Sequence, residues 1–247
     1  MKTAGLYAML ICLLVSCSGK QDEIIDADLK GLLKCYYDNN QGITTCFEYN
    51  ADRKISIRRV TGTGYVRHEY KYFTGLVVMK TYVETRLSAI DSIWLNSKGL
   101  AGFSRSYTAV GVSTVFQLDK TIVNIFDPAG YMIRQEVMSA IGLPTFYCDY
   151  TIQQGNLTEE KIYDSDHPGE YTVIQKTFDT TNVSTTGNSY EGIPFYGKSS
   201  VNPFIRKVTY YADSTIETRD FSYQYNSGGS ITKMIRDDGV TILYDYY

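Results

Sequence analysis

The feature that most constrains the fold is an alternation of apolar and polar residues with a period of two, which recurs along most of the chain. Ile55 and Ile57 are separated by a polar residue, and the aromatic residues of HEYKY (68–72) and FSYQY (221–225) share one face of each segment. Successive side chains of a strand point to opposite faces, so this pattern predicts strands with one packed and one wetted face. The sequence therefore indicates an all-β protein.

Glycine-containing turns separate the predicted strands. They recur in YFTGLVV, WLNSKGLAG, FDPAGYMI, YTIQQGNLT and YNSGGSITK, at Gly75, Gly99, Gly130, Gly155 and Gly229. Their uneven spacing is not that of a solenoid, and strands adjacent in the chain usually pair, which favours successive hairpins of an antiparallel meander. We expect a curved antiparallel sheet that can curl into an open or half barrel. The best candidate for a short helix is EVMSAIG (136–142).

The N-terminal segment has the layout of a signal peptide. Lys2 precedes an apolar run that ends at Cys17, and this run is too short to cross a bilayer as a helix. The sequence LVSC, which ends at Cys17, resembles the lipobox of bacterial lipoproteins. The resemblance implies a signal peptide over 1–16, cleavage before Cys17, and acylation of Cys17 as a membrane anchor.

The residues after Cys17 are polar and partly acidic. Lys20, Gln21, Asp22 and Glu23 resemble the export signal that directs lipoproteins of the Bacteroidota to the outer face of the outer membrane. This implies a lipidated tether over 17–30 and a domain that faces the cell exterior; the alternative is an outer-membrane lipoprotein that faces the periplasm. The tether precedes a single predicted β-meander domain over 31–247, with a weak subdivision near 180–202.

Three further cysteines belong to the predicted domain. A turn centred between Asn40 and Gln41 places Cys35 opposite Cys46, where either a disulfide or two small apolar residues on one face would fit. Cys148, in TFYCDY, is expected to be a buried thiol in a strand.

The C-terminal stretch 196–247 resembles the tyrosine-rich meander repeats of YD-type proteins. More closely, it resembles a domain-of-unknown-function family in Bacteroidota lipoproteins, through its Gly-Lys-Ser turn, its Asn-Pro pair and its Tyr-x-Tyr-Asn hairpin. The resemblance implies a curved antiparallel sheet and supplies no catalytic residues.

Tyrosine is unusually frequent, with 23 Tyr against 10 Phe and one Trp. Tyrosine suits a sheet whose faces are partly covered, with the ring packed and the hydroxyl wet, and it is also enriched on recognition surfaces. If they are exposed, Trp94 and Tyr107 are candidates for ligand binding.

The sequence contains no recognisable catalytic or metal-binding motif. His68 and His167 are the two histidines, and neither has a second histidine or cysteine at the spacing of a metal ligand. We therefore expect no metal, no cofactor and no catalytic residue. A formal charge of −3 without a basic stripe makes nucleic acid an improbable partner.

Three functions remain open from the sequence. The leading hypothesis is a non-enzymatic lipoprotein, anchored in the outer membrane, that binds a glycan or protein ligand. The second is a periplasm-facing carrier or assembly factor for a lipid or another apolar ligand. The third is a carbohydrate hydrolase.

Overall fold

The computed structural model describes residues 29–111, 115–167 and 169–247. Within these residues the chain forms sixteen antiparallel strands, each paired with its chain neighbours, and β16 pairs with β1 to close a barrel. The strands are β1 (Leu33–Asp38), β2 (Ile43–Tyr49), β3 (Ile55–Thr61), β4 (Tyr65–Phe73), β5 (Leu76–Val83), β6 (Arg86–Leu95), β7 (Ala101–Ala109), β8 (Phe116–Phe126), β9 (Met132–Ser139), β10 (Pro144–Gln153), β11 (Asn156–Asp164), β12 (Tyr171–Phe178), β13 (Phe204–Tyr210), β14 (Ile216–Tyr225), β15 (Ile231–Arg236) and β16 (Thr241–Tyr246).

This architecture confirms the predicted all-β meander of hairpins. The sheet closes completely, because the free edge of β1 pairs with β16, with Tyr36 opposite Tyr244. A closed barrel leaves no unpaired edge strand.

The expectation of a helix in EVMSAIG is wrong. Glu136, Val137, Met138 and Ser139 are the last residues of β9. Both neighbouring strands pair with this segment: Val137 lies opposite Ile122 of β8 and Phe146 of β10. Sheet pairing on two sides therefore overrides the local helical pattern.

The hairpin turns alternate between the two ends of the barrel, because the strands are antiparallel. Six of the sixteen strands end in short turns at the end where β1 begins, and the long connection 179–203 between β12 and β13 lies at this end as well. We call residues 179–203 the cap, and this end the capped end. The eight turns at the opposite end, the far end, are two to six residues long.

The most deeply buried side chains lie at the capped end. One cluster contains Leu29, Leu32, Leu33, Phe47, Tyr49 and Ile55, and a second contains Val77, Ile93, Ala101 and Phe195. Ile193 of the cap packs against both clusters, as does Tyr70. The apolar core is therefore formed jointly by the barrel wall and the cap.

The first hairpin is closed by a covalent bond. Cys35 lies directly opposite Cys46, the register expected of a turn at Asn40 and Gln41, and the two sulfurs are joined in a disulfide. A ring of this size is expected to stabilise the fold by about 3 kcal/mol through loop entropy.

Candidate functional site

The lumen is lined by alternate residues of every strand, many of them tyrosines. Residues directly opposite each other on paired strands share a face. The buried Phe47 therefore places Arg58 and His68, its partners on the next two strands, inside the barrel. The inward tyrosines include Tyr36, Tyr49, Tyr70, Tyr72, Tyr150, Tyr223 and Tyr244. A lumen of this kind offers apolar ring faces together with polar hydroxyl groups.

The cap folds into the lumen and is fixed to strands around the barrel. On one side, the Leu33 amide donates to the Tyr190 carbonyl (2.9 Å), and the Ile55 amide donates to the Gly192 carbonyl (3.0 Å). On the other side, the Lys198 amide donates to the Gly130 carbonyl at 2.9 Å. These bonds hold the cap across the capped end.

A second set of contacts extends the attachment of the cap. The Val201 amide donates to the Gly155 carbonyl (3.1 Å), the Asn202 amide donates to Asn156 Oδ1 (2.9 Å), and the Ile231 amide donates to Thr185 Oγ1 (2.8 Å). The cap is thus attached to early, middle and late strands of the chain, and it closes this end of the lumen.

A cavity of about 300 Å³ lies between the cap and strands β9, β10 and β11. We call it the floor cavity. It is lined by Tyr131, Met132, Tyr150, Ile152, Leu157, Asn188, Tyr196, Lys198, Ser199 and Ser200. Apolar side chains with a few convergent polar groups are the usual composition of a small-molecule site, and this volume is at the lower end of the range for such sites.

The lumen also contains a group of ionisable side chains beside the cap. Arg58 donates through Nη2 to the hydroxyl of Tyr36 at 3.3 Å. Burial raises the pKa of the half-buried Glu191 carboxyl, and the Arg58 guanidinium lowers it part of the way back. Burial, and then the charge of Arg58, lowers the pKa of His68, whose Nδ1 lies 3.0 Å from Thr81 Oγ1. Burial raises the pKa of Tyr70 to about 12, so its hydroxyl is a donor at neutral pH.

The raised pKa of Glu191 predicts a pH-dependent effect of Glu191→Gln. The folded state binds this proton more tightly than the unfolded state, so the free energy of unfolding falls as the pH rises through the raised pKa of Glu191. A glutamine at position 191 does not ionise, so the variant does not lose this part of the free energy of unfolding as the pH rises. We expect Glu191→Gln to raise the urea midpoint at pH 7 and to give no gain at about pH 4, below the ordinary pKa of glutamate.

The control for this prediction is Glu170→Gln, which removes a carboxylate from the exposed far end. It is expected to leave the urea midpoint nearly unchanged at both pH values. A gain from Glu191→Gln that is equal at pH 4 and pH 7 would contradict the assigned cause.

The outer wall of the barrel carries charged pairs. Arg59 pairs with Glu48, Arg67 with Glu69, Arg134 with Glu136 and Asp149, Lys161 with Glu159, and Arg206 with Asp220. A membrane-spanning barrel presents an apolar band about 25 Å tall, where each basic residue on the lipid face costs about 2–4 kcal/mol at the midplane. The charged pairs are those expected of a wall that faces water.

A second cavity, of about 430 Å³, lies at the far end. Its lining includes Phe146, Tyr163 and Tyr171 together with the charged side chains Asp164 and Glu170. The ring of Tyr163 lies between those of Tyr147 and Tyr171, with centroid distances of 4.4 and 5.4 Å. His167 also lines this pocket, and Asp164 raises the pKa of its imidazole; lysine and arginine are absent from the lining.

The structure places the predicted ligand-binding residues on the outer wall. Trp94 is 38% exposed and contacts Phe103, with 5.3 Å between the ring centroids. Tyr107 is opposite Ile90 on the same face of β6 and β7, at the other end of β7 from Phe103. Both residues therefore lie outside the lumen and away from the floor cavity.

The remaining predicted residues lie apart from one another. Cys17, Lys20, Gln21, Asp22 and Glu23 fall outside the described residues. Cys148 is a buried thiol, as expected, and faces the lumen. His167 lies in the exposed far-end loop, with its Nδ1 at 3.2 Å from Asp164 Oδ2.

Two kinds of feature are absent from the described residues. In this part of the chain no group of three or more His, Cys, Asp or Glu residues is arranged to hold a metal ion. Over the same residues, no helix has the length and apolar character needed to cross a bilayer.

The residues that line the floor cavity form no motif that is recognisable in the sequence. The available signal was the length of the connection 180–202, since so long a connection in a compact domain is often functional. Lys198 and Tyr196 of the cap meet Tyr131 and Tyr150 of the wall in this cavity. The cap residues and the wall residues are far apart in the sequence, so no local sequence pattern shows that they meet.

Solved structures that share this fold include two porin-like proteins. One, from Bacteroides uniformis ATCC 8492, aligns with a TM-score of 0.64 and 12% identity, over 89% of this chain and 99% of its own. The other, from Bacteroides vulgatus ATCC 8482, aligns with a TM-score of 0.63 and 11% identity, over 87% of this chain and 99% of its own.

These likenesses define a porin-like β-barrel, and at such low identity they concern the fold alone. No family model matches the chain, and no curated protein matches it. The resemblance to YD-type repeats therefore has no support beyond the turns on which it was based.

Proposed function

We propose that this protein is a membrane-tethered binding cup, a non-enzymatic barrel that holds a small ligand in the floor cavity. The observation that carries the proposal is the cap, which closes one end of the lumen and forms one side of a cavity with an apolar and hydroxyl-rich lining. A closed floor suits retention of a ligand. A conducting pore would need a passage through both ends.

The tether belongs to the same proposal. The charged outer wall supports a barrel that stands in water, held at the membrane by acyl chains on Cys17.

The proposed location is the outer membrane of a member of the Bacteroidota, with the barrel facing the cell exterior. Both porin-like neighbours come from Bacteroides, which fits this origin. The orientation rests on the likeness of Lys20 to Glu23 to an export signal.

The ligand is proposed to be a small molecule. A protein does not enter a cavity of about 300 Å³, so a protein partner would have to use the outer wall, where Trp94 and Tyr107 lie. A carrier of lipid would need an apolar lumen, whereas this lumen contains Arg58 and Glu191 beside the cap. The geometry therefore favours a small ligand with both apolar and polar parts.

Enzymatic hydrolysis has less support. Three inward carboxylates have neighbours that engage them: Asp91 hydrogen-bonds to Ser106, Glu160 pairs with Lys176, and Glu191 lies near Arg58. A glycoside hydrolase would instead present two carboxylates across one cleft.

The test is native mass spectrometry of the mature protein after incubation with a small-molecule extract of the producing cells. We expect one small molecule to bind per protein, and Met132→Trp, which fills the floor cavity, to abolish the mass shift. The matched control is Ile133→Trp, at the next residue of β9 on the outer face, which should keep the mass shift.

Two results would overturn the proposal. One is the lack of any mass shift in the folded wild-type protein. The other is an equal mass shift in the folded Met132→Trp variant.

A further inference from the structure

The polar groups that line the floor cavity are mainly hydrogen-bond donors. Ser199 Oγ accepts from the Asn188 amide (2.8 Å), and Ser200 Oγ accepts from the Leu157 amide (3.0 Å), so each hydroxyl keeps its proton to donate. Tyr150 and Tyr196 add two phenol hydroxyls to the lining, and burial raises the pKa of both.

Lys198 is the one charged residue that lines this cavity. Its ammonium lies 5.5 Å from the centroid of the Tyr131 ring, and its backbone is fixed by the bond to the Gly130 carbonyl. Among the described residues, no carboxylate lies within 4.0 Å of this ammonium. The cavity therefore presents a positive charge without a counter-ion.

Lys198 also lies at an edge of the cavity. It lines a shallower cavity of about 250 Å³ on the outer side of the cap, together with Lys98, Pro128 and Ser189. A ligand group at Lys198 would thus be close to solvent, while the rest of the ligand would lie against Met132 and Leu157. This arrangement suits a ligand that has one charged end.

The far-end pocket has the opposite character. Asp164 and Glu170 line it, without lysine or arginine, although it is also rich in aromatic side chains. The donor set of the floor cavity is therefore a local property, and the chain as a whole is acidic, with a formal charge of −3.

We infer that the floor cavity binds a small carboxylate, with the carboxylate at Lys198 and the serine hydroxyls, and with an aromatic or aliphatic body against Tyr131, Met132 and Leu157. The inference rests on the proposed function and deepens it by naming the ligand class. A monoanion matches a site with a single ammonium, and charge-assisted hydrogen bonds are stronger than neutral ones.

The experiment is isothermal titration calorimetry of the full mature protein with phenylacetate, 4-hydroxyphenylacetate, indole-3-acetate and hexanoate, each paired with its neutral amide. We expect at least one carboxylate to bind more tightly than its amide. Lys198→Gln should lower the affinity for that carboxylate by about tenfold to a hundredfold and leave the affinity for its amide unchanged. Lys198→Arg should keep most of the carboxylate affinity.

The matched control is Lys98→Gln, which removes an ammonium from the same end, where Nζ donates to the Pro128 carbonyl at 3.1 Å. It should not change carboxylate affinity. Equal affinity for every acid and its amide, or full carboxylate affinity in a folded Lys198→Gln protein, would overturn the inference. In either case, if native mass spectrometry still shows a small molecule bound from the cell extract, the proposed binding function is kept and only the proposed ligand class is wrong.

Discussion

Gly192→Ala is expected to lower the free energy of unfolding by about 2–5 kcal/mol, through a clash between the cap and the wall. Gly192 has φ +71°, and a Cβ at this position would lie 2.6 Å from Cε1 of Tyr49 and 2.9 Å from the Ile55 nitrogen. Carbon atoms pack best at about 3.5–4.0 Å, and the Tyr49 ring is too deeply buried to move away. The measurement is urea unfolding followed by circular dichroism.

Gly75→Ala is the matched control. Gly75 also has φ +71°, and nothing lies within 4 Å of its added Cβ. The control therefore contains the backbone strain of a left-handed alanine, about 1–2 kcal/mol, but not the clash. We expect Gly192→Ala to be less stable than Gly75→Ala by about 1–3 kcal/mol, the usual cost of overpacking.

The same pair of variants tests how firmly the cap is attached. If the cap is released as a unit, Gly192→Ala becomes sensitive to protease within 179–203, while Gly75→Ala keeps the resistance of the wild type. Equal losses of stability in the two variants, with equal protease resistance, would contradict the close packing of Gly192 on Tyr49.

Much of the fold could be predicted because it depends on local sequence. Period-two alternation predicts strands, and glycine-containing turns predict hairpins between neighbours, as found at Gly75 between β4 and β5 and at Gly99 between β6 and β7. Closure of the barrel depends instead on the pairing of Tyr36 with Tyr244, at opposite ends of the chain. That pairing joins residues far apart in the sequence, so no local sequence pattern predicts it.

The site was harder to predict, because alternation does not say which face of a strand lies inside. Trp94 and Tyr70 both sit in regular strands, yet Trp94 faces solvent while Tyr70 packs against the cap. Which face lies inside is set by the closed barrel and by the cap, and the cap has no regular strands of its own. Its one regular element is the 3-10 helix Pro194–Tyr196, whose Phe195 is buried against Tyr72.

The charge on the outer face of the barrel supports the proposal that this wall lies in water. Arg134 pairs with Glu136 and Asp149 on the outer face, and its guanidinium lies 4.5 Å from the Tyr147 ring centroid. Side chains of this kind are stable in water and costly in hydrocarbon. A barrel with such a wall needs a separate attachment if it works at a membrane, and Cys17 is the residue proposed to provide it.

Cys17→Ala is expected to move the protein from the membrane fraction to the soluble fraction. Several acyl chains give stable anchoring, and in the proposed arrangement they are the attachment that holds the barrel at the membrane. The measurement is fractionation of cells followed by immunoblotting. Cys12→Ala is the matched control, since Cys12 lies five residues earlier in the same apolar run and should leave the protein in the membrane fraction. Retention in membranes of a folded Cys17→Ala protein from which residues 1–16 have been removed, as checked by mass spectrometry, would rule out the proposed anchor.

Protease treatment of intact cells extends this prediction to the direction in which the barrel faces. We expect the wild type to be cleaved, and a variant with Lys20, Gln21, Asp22 and Glu23 replaced by serine to remain membrane-bound but protected, because the outward signal is lost while the anchor is kept. Cells with a permeabilised outer membrane serve as the control, in which both proteins should be cleaved. Protection of the wild type in intact cells, with cleavage after permeabilisation, would place the barrel in the periplasm, where a carrier of small ligands becomes the better description of the cup.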